Sequence, residues 1–142
     1  MNAYRELRDR HQKETNDFPM FFAFSEKQFE EGMAKFGLGP NETDKIYSLG
    51  YGGYYLRTDS ERLREMFDRH EREHKEAIAA DKKGTGYIFD MFCYELGNHE
   101  YGYTWDLEPA LDALGLTLEE IENSHALTRG LKKAQKTYEE AS

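Results

Sequence analysis

The sequence predicts an α+β fold: a single, predominantly helical domain of five or six helices carrying a small antiparallel sheet or hairpin. Three observations lead there. Apolar residues recur at helical spacing through most of the 142 residues, while aromatic, glycine-bounded runs suited to strands are confined to 20–24 and 45–57. Ser or Thr followed three residues later by Glu or Gln recurs where helices should start, and glycines stand where they should stop. One segment, "TGYIFDMFCYEL" at 85–96, is apolar nearly all round, as a helix in the centre of a core would be. No repeat or linker divides the chain, so residues 1–142 are expected to form one domain, long enough to bury about 68% of its unfolded surface. Only 38% of the residues are hydrophobic, but nine Phe, ten Tyr and one Trp supply large buried areas.

In chain order, residues 2–15 read as a charged surface helix with few apolar anchors, Tyr4, Leu7 and His11. Pro19 follows, and "MFFAF" at 20–24 reads as a short buried strand. Ser25 with Gln28 matches a capping box, and Phe29, Met33 and Phe36 form the apolar stripe of the helix it opens. "GLGPN" at 37–41 ends that helix. "KIYSLGYGGYYLR" at 45–57 is two short strands around a Tyr-Gly-Gly turn, to which residues 20–24 can add a third. Thr58 with Glu61 predicts the start of a long helix ending near Lys83–Gly84, with Leu63, Met66, Phe67, His70, His74, Ala77 and Ile78 facing inward. For 85–96 a buried strand is the rival to the central helix. A loop follows Gly97. Leu107, Ala110, Leu111 and Leu114 then keep helical spacing with Pro109 in the first turn and Gly115 as the stop. Thr117 with Glu120 caps one more short helix, and residues 125–140 form the last.

Composition bounds the function. A lone cysteine, Cys93, cannot form an intrachain disulfide, which suits a reducing compartment. The charged start "MNAYRELRDRHQKE" is unlike a signal peptide, and "FPMFFAF" at 18–24 is far short of the ~20 apolar residues of a membrane helix. A soluble cytoplasmic protein is expected. The net charge of −9 resides in one segment: from Gly84 to Thr128 there are nine acids and no Lys or Arg, while the remaining 19 acids and 19 bases balance. Such a field disfavours direct nucleic-acid binding, which needs clustered cations, and favours a basic protein partner. The cluster Arg129, Lys132, Lys133 and Lys136 is expected to compensate the segment internally. In the competing reading, its acids and aromatics form a docking face.

Three constellations could carry chemistry. "RHEREHK" at 69–75 contains H-E-x-x-H, so His70 and His74 lie one helical turn apart, able to share a zinc ion, with Glu71 as the base acting on metal-bound water. Against this, the spacers Arg72 and Glu73 are charged, and Ala77 and Ala80 occupy the last two fixed positions of the extended motif. A third ligand would have to come from Glu95, His99 or Glu100. The pairs Glu65–Arg69, Asp68–Arg72 and Glu71–Lys75 explain the segment as an ordinary charged helix, so no cofactor is expected and zinc is the alternative. "GYGGYY" at 50–55 offers backbone amides and the rings of Tyr51 and Tyr54, without the Lys and Ser/Thr of a P-loop. "NHEY" at 98–101 sets His99 beside Glu100, near Tyr103, Trp105, Asp106 and Glu108. A small ligand held by Tyr51, Tyr54, His99 and Trp105 is a further alternative. Cys93, among apolar neighbours, reads as an inert core thiol.

The segments "NDFPMFFAFSEKQFEEGMAKFGLG", "DMFCYELGNHEYGYT" and "ALDALGLTLEEIEN" resemble a family of small uncharacterised proteins of bacteria and of phages or prophages, of Clostridia type. The resemblance covers about residues 4–135, with "YELGNHEYGYT" its most distinctive part. It brings no activity and no catalytic residue. It implies a cytoplasmic accessory protein of a mobile element, a setting in which small acidic proteins bind or inhibit host nucleic-acid-handling or defence enzymes. The reading carried forward is therefore a non-catalytic acidic interaction module for a basic partner, with Tyr51, Tyr54, His99, Glu100, Tyr103, Trp105, Asp106 and Glu108 as the candidate binding residues.

Overall fold

A computed structural model of the chain describes residues 2–141. It contains two compact units: residues up to Gln12 together with those from Arg72 onward, and Lys13–Glu71. The boundaries fall inside helices α1 (Ala3–Asp17) and α3 (Ser60–Ala80), each of which contributes to both.

The Lys13–Glu71 unit holds the sheet. Strands β1 (Phe21–Phe22), β2 (Ile46–Gly50) and β3 (Gly53–Leu56) pair antiparallel in the order β1-β3-β2, with Phe21 opposite Tyr54 and Tyr47 opposite Tyr55. The hairpin turn is left-handed at Gly50, Tyr51 and Gly52 in succession, which is why two of the three are glycine. One sheet face packs on α2 (Glu26–Lys35), where Phe21, Ile46 and Met33 are buried with Phe29, Phe36 and Tyr54 against them. The approach is close enough that a Cβ at Gly32 would collide with the Phe21 ring. At the start of α2 the Gln28 N–H donates to Ser25 Oγ (3.2 Å) as predicted. The Gln28 side chain, however, accepts from the N–H of Phe24 rather than of Ser25 (2.8 Å). A second cluster joins Phe18, Leu63 and Met66 to Met20 and Tyr55.

The sheet and the hairpin stand as predicted, but the 20–24 strand shrinks to two residues. Alternation buries Phe21 and Ala23 and leaves Phe22 and Phe24 exposed. The long helix also starts later than Thr58, because Arg57–Asp59 form a 3₁₀ turn whose Arg57 carbonyl accepts from the N–H of Ser60. Phe67, predicted to face inward, is 42% exposed.

The other unit is helical: α4 (Tyr87–Asn98), α5 (Tyr101–Thr104), α6 (Glu108–Leu114), α7 (Leu118–Glu122) and α8 (His125–Ala141), with the first part of α1 and the last part of α3. Segment 85–96 is the central helix, not a strand. In it Ile88, Met91, Phe92 and Leu96 lose all exposure among Ala110 and Leu111 of α6, Ile121 of α7, and Leu127, Leu131 and Ala134 of α8. Tyr4 is buried in the same cluster, so the start of α1 is a core element rather than a surface helix. The capping box of Thr117 and Glu120 is complete, and Gly115 ends α6 at φ 66°. Among the described residues there are eight α-helices where five or six were expected; the short α7 stands where its cap placed it, and α5 forms in a stretch read as a loop.

Candidate functional site

The H-E-x-x-H residues lie on α3, and the two imidazoles have different protein partners. In the helical unit the half-buried His74 shares a 2.6 Å hydrogen bond, through Nδ1, with the Tyr87 hydroxyl. Its ring meets Tyr4 edge-on at 5.8 Å. Burial holds the imidazole below its ordinary value; His11 adds to that and Glu95 opposes it. Burial also pushes the phenol of Tyr87 up. Tyr4 donates to Glu95 Oε2 at 2.8 Å, and its phenol is raised first by burial and then by that carboxylate. Glu95 is only 4% exposed.

In the sheet unit, His70 Nε2 stands 3.4 Å from Glu14 Oε1. The Arg69 guanidinium forks onto the same carboxylate, one arm at 3.1 Å, and holds Glu14 below the usual carboxylate range. Arg69 therefore pairs across to α1 instead of only along its own helix with Glu65. Among the described residues no group of three or more His, Cys, Asp or Glu is gathered to hold a metal ion. Of the conceivable third ligands, Glu95 accepts from Tyr4, His99 is half-buried at the end of α4, and Glu100 is exposed.

The predicted binding residues of the helical unit come together on one short stretch. Glu100 (φ 58°) and Trp105 (φ 56°) both adopt the left-handed region and bracket the four-residue helix α5. Tyr101 anchors it: the ring is buried, meets Trp105 at 5.3 Å and Tyr138 at 5.8 Å, and its hydroxyl accepts from Gln135 Nε2. The anchoring turns Tyr103 outward, 89% exposed, and leaves Trp105 46% exposed. Asp106 Oδ1 accepts from the Glu108 N–H at 3.0 Å and so opens α6.

Seven of the nine acids, Glu100, Asp106, Glu108, Asp112, Glu119, Glu120 and Glu122, are exposed, and among the described residues none is ion-paired. No ion pair among the described residues joins the acids of the segment to the basic cluster. Lys136 pairs with Glu140 one turn along its own helix (3.8 Å), and the Lys133 ammonium lies 4.8 Å over the Phe89 ring.

In the sheet unit, Tyr51 is 97% exposed at the hairpin tip, whereas Tyr54 stacks on Phe21 at 5.2 Å and meets Phe29 edge-on. Sequence reasoning missed that Phe22, Phe24 and Leu49 would be exposed beside Tyr51. The glycine pair was the available signal. A Cβ at Gly52 would stand 2.6 Å from the Phe24 ring, and one at Gly53 3.1 Å from the Phe22 ring, so both rings need a bare backbone to lie on. Cys93 has its thiol pushed up to about 11, chiefly by burial and then by Asp90, which keeps it protonated and unreactive near neutrality. No helix among the described residues is long and apolar enough to cross a membrane.

Over residues 3–137 the sequence matches the model of a family of unknown function, DUF7659. No curated protein and no solved structure matches the chain.

Proposed function

This chain belongs to DUF7659, a family of unknown function, and we propose that it acts as a non-catalytic interaction module whose acidic, aromatic face docks on a basic protein. The observation that carries the reading is the 100–108 stretch. Tyr103 and Trp105 are exposed beside Glu100, Asp106 and Glu108, which make no ion pair among the described residues. Exposed aromatics are the side chains that supply affinity at interfaces, and unpaired acids steer a basic partner into register. Holding two non-glycine residues left-handed costs on the order of 1–3 kcal/mol each and persists only where the surroundings impose it. Here the packing of Tyr101 on Trp105 and Tyr138 holds the short helix in place, and that helix turns Tyr103 outward. The partner class we propose is an enzyme that handles nucleic acid, because a surface built to hold phosphate is also complementary to clustered carboxylates. In that reading the protein is a cytoplasmic accessory factor of a mobile element, inhibits by occupying the basic surface, and does not itself bind nucleic acid.

The test is affinity capture from host lysate with the native chain, with Asp106→Lys/Glu108→Lys, and with Tyr103→Ala. A specific protein is captured by the native chain, and its recovery falls at least tenfold with each variant. Tyr103→Ala keeps the melting temperature within about 2 °C because its ring is exposed, while Asp106→Lys/Glu108→Lys stays folded but melts lower, having lost the hydrogen bond that opens α6. The captured enzyme loses nucleic-acid binding when the native chain is added. Capture that ignores the substitutions overturns the reading.

A further inference from the structure

We propose that a groove along α8 is a binding site for a compact oligophosphate, the linked phosphates of a nucleoside polyphosphate or of free polyphosphate. The groove has a volume of about 530 Å³ and is lined by Thr85, Thr128, Arg129, Lys132, Lys133 and Lys136, with His125 at one end. The four cations stand at i, i+3, i+4 and i+7, a single stripe of roughly 10 Å along the helix. Like charges at these spacings repel and weaken a helix. Helix polarity does not explain them either, since it favours cations only in the last turn and Arg129 to Lys133 lie in the first half of α8. Acids relieve only one of them. Among the described residues, Lys136 alone of the four has an ion pair, with Glu140, and Arg129 and Lys132 have none. A chain with 28 acids thus leaves three of these four cations without an ion-pair partner among the described residues, Lys133 resting instead over the Phe89 ring.

The second wall makes the stripe a site rather than a solvated face. The turn before α4 lies backbone-to-backbone on α8. At Gly84 (φ 76°) a Cβ would collide with the carbonyl oxygen of Ala126, and at Gly130 it would stand 2.7 Å from the Gly84 carbonyl oxygen. With no side chains between them, the turn sets Thr85 beside the cations. The acid of that turn, Asp81, is fully engaged: its carboxylate accepts from the N–H groups of Gly84 (3.0 Å), Gly86 (3.0 Å) and Ile88 (2.9 Å). Several point charges and one planar guanidinium within such a length match several linked phosphates better than one carboxylate. The volume falls in the range of small-molecule sites, and the net charge of −9 opposes a long nucleic acid.

The experiment is calorimetric titration of the full chain in 150 mM salt with inorganic tripolyphosphate, with ATP, and with a single-stranded oligonucleotide. One equivalent of tripolyphosphate or ATP binds. Arg129→Gln/Lys132→Gln weakens that binding at least tenfold, while Lys27→Gln/Lys35→Gln, the same charge loss on the exposed face of α2, changes it less than twofold. All variants keep the native melting temperature. Tighter binding of ATP than of tripolyphosphate assigns the site to nucleotides, and equal binding assigns it to the phosphate chain alone. The proposal is overturned if neither oligophosphate binds, if both pairs of substitutions weaken binding equally, or if the oligonucleotide binds more tightly than either. The result is independent of whether the acidic face captures a protein.

Discussion

Tyr4 and Glu95 illustrate how much a single polar contact carries when it lies inside the helical core. Glu95 is almost fully buried, Oε2 accepts from the Tyr4 hydroxyl, and Oε1 has no hydrogen-bond partner among the described residues. Removing the one donor strands the carboxylate, so Tyr4→Phe is expected to cost about 1–3 kcal/mol, far more than one hydroxyl on the surface. Urea denaturation of the two proteins measures it, and a loss below about 0.5 kcal/mol would show that the contact contributes little. His74 gives the neighbouring pH dependence. Burial and His11 hold its folded imidazole below the ordinary 6.5, against the pull of Glu95, while the unfolded imidazole keeps that ordinary value. As pH falls, the unfolded chain therefore takes up the proton first. Stability from this group is complete above 6.5 and is lost progressively on acidification below it. Replacing His74 with Gln, which cannot titrate, should flatten the fall in urea midpoint between pH 7.5 and pH 5.5 relative to the native chain. An identical fall in both proteins would remove His74 as its source.

Elements here are held by glycines at close approaches as much as by apolar stripes. A methyl at Gly130 would stand 2.5 Å from Ile88 Cγ2, and overpacking of this kind costs about 1–3 kcal/mol. Gly84→Ala adds left-handed strain of roughly 1–2 kcal/mol to a collision with the Ala126 carbonyl. Gly37 is also left-handed, but nothing lies within 4 Å of its added Cβ, so Gly37→Ala should carry the strain alone. Thermal denaturation should rank Gly84→Ala as clearly worse than Gly37→Ala. Equal losses would mean that the α4–α8 approach relaxes freely. The same comparison explains what sequence could show. The starts of α2 and α7 and the stop of α6 were legible because Ser25, Thr117 and Gly115 act on backbone groups within a few residues of themselves. Segment 85–96 was legible because hydrophobicity on all sides has no other stable place. The short α5 was not, since four residues gain their helix from tertiary packing of Tyr101 on Trp105 and Tyr138. Arg69 was assigned to Glu65 because local spacing is all a sequence displays, whereas Glu14 reaches it from α1. The exposed acids were legible because they lie in one segment that has no Lys or Arg. The oligophosphate groove was visible only as a charge run, because its other wall is a turn more than forty residues away from the stripe.

Over the whole chain, the distribution of charge sets stability against use. Nineteen acids and nineteen bases balance outside Gly84–Thr128, so the −9 is the repulsion of one acidic segment whose exposed members lack ion-pair partners among the described residues. Fields of this kind reach about 30 Å at 10 mM salt and roughly 8–10 Å near 0.1–0.15 M. Raising NaCl from 10 to 200 mM should therefore raise the melting temperature of the native chain. Asp112→Asn/Glu119→Gln/Glu122→Gln removes three exposed charges without touching the Thr117–Glu120 cap or the 100–108 stretch. That variant should melt higher than the native chain at 10 mM and gain less from added salt. A rise equal to that of the native chain would mean that these carboxylates exert no net repulsion. If the variant is more stable yet associates more slowly with a basic partner, then the acids are kept at the expense of the fold. Their explanation must then lie in steering that partner and not in holding the helices together.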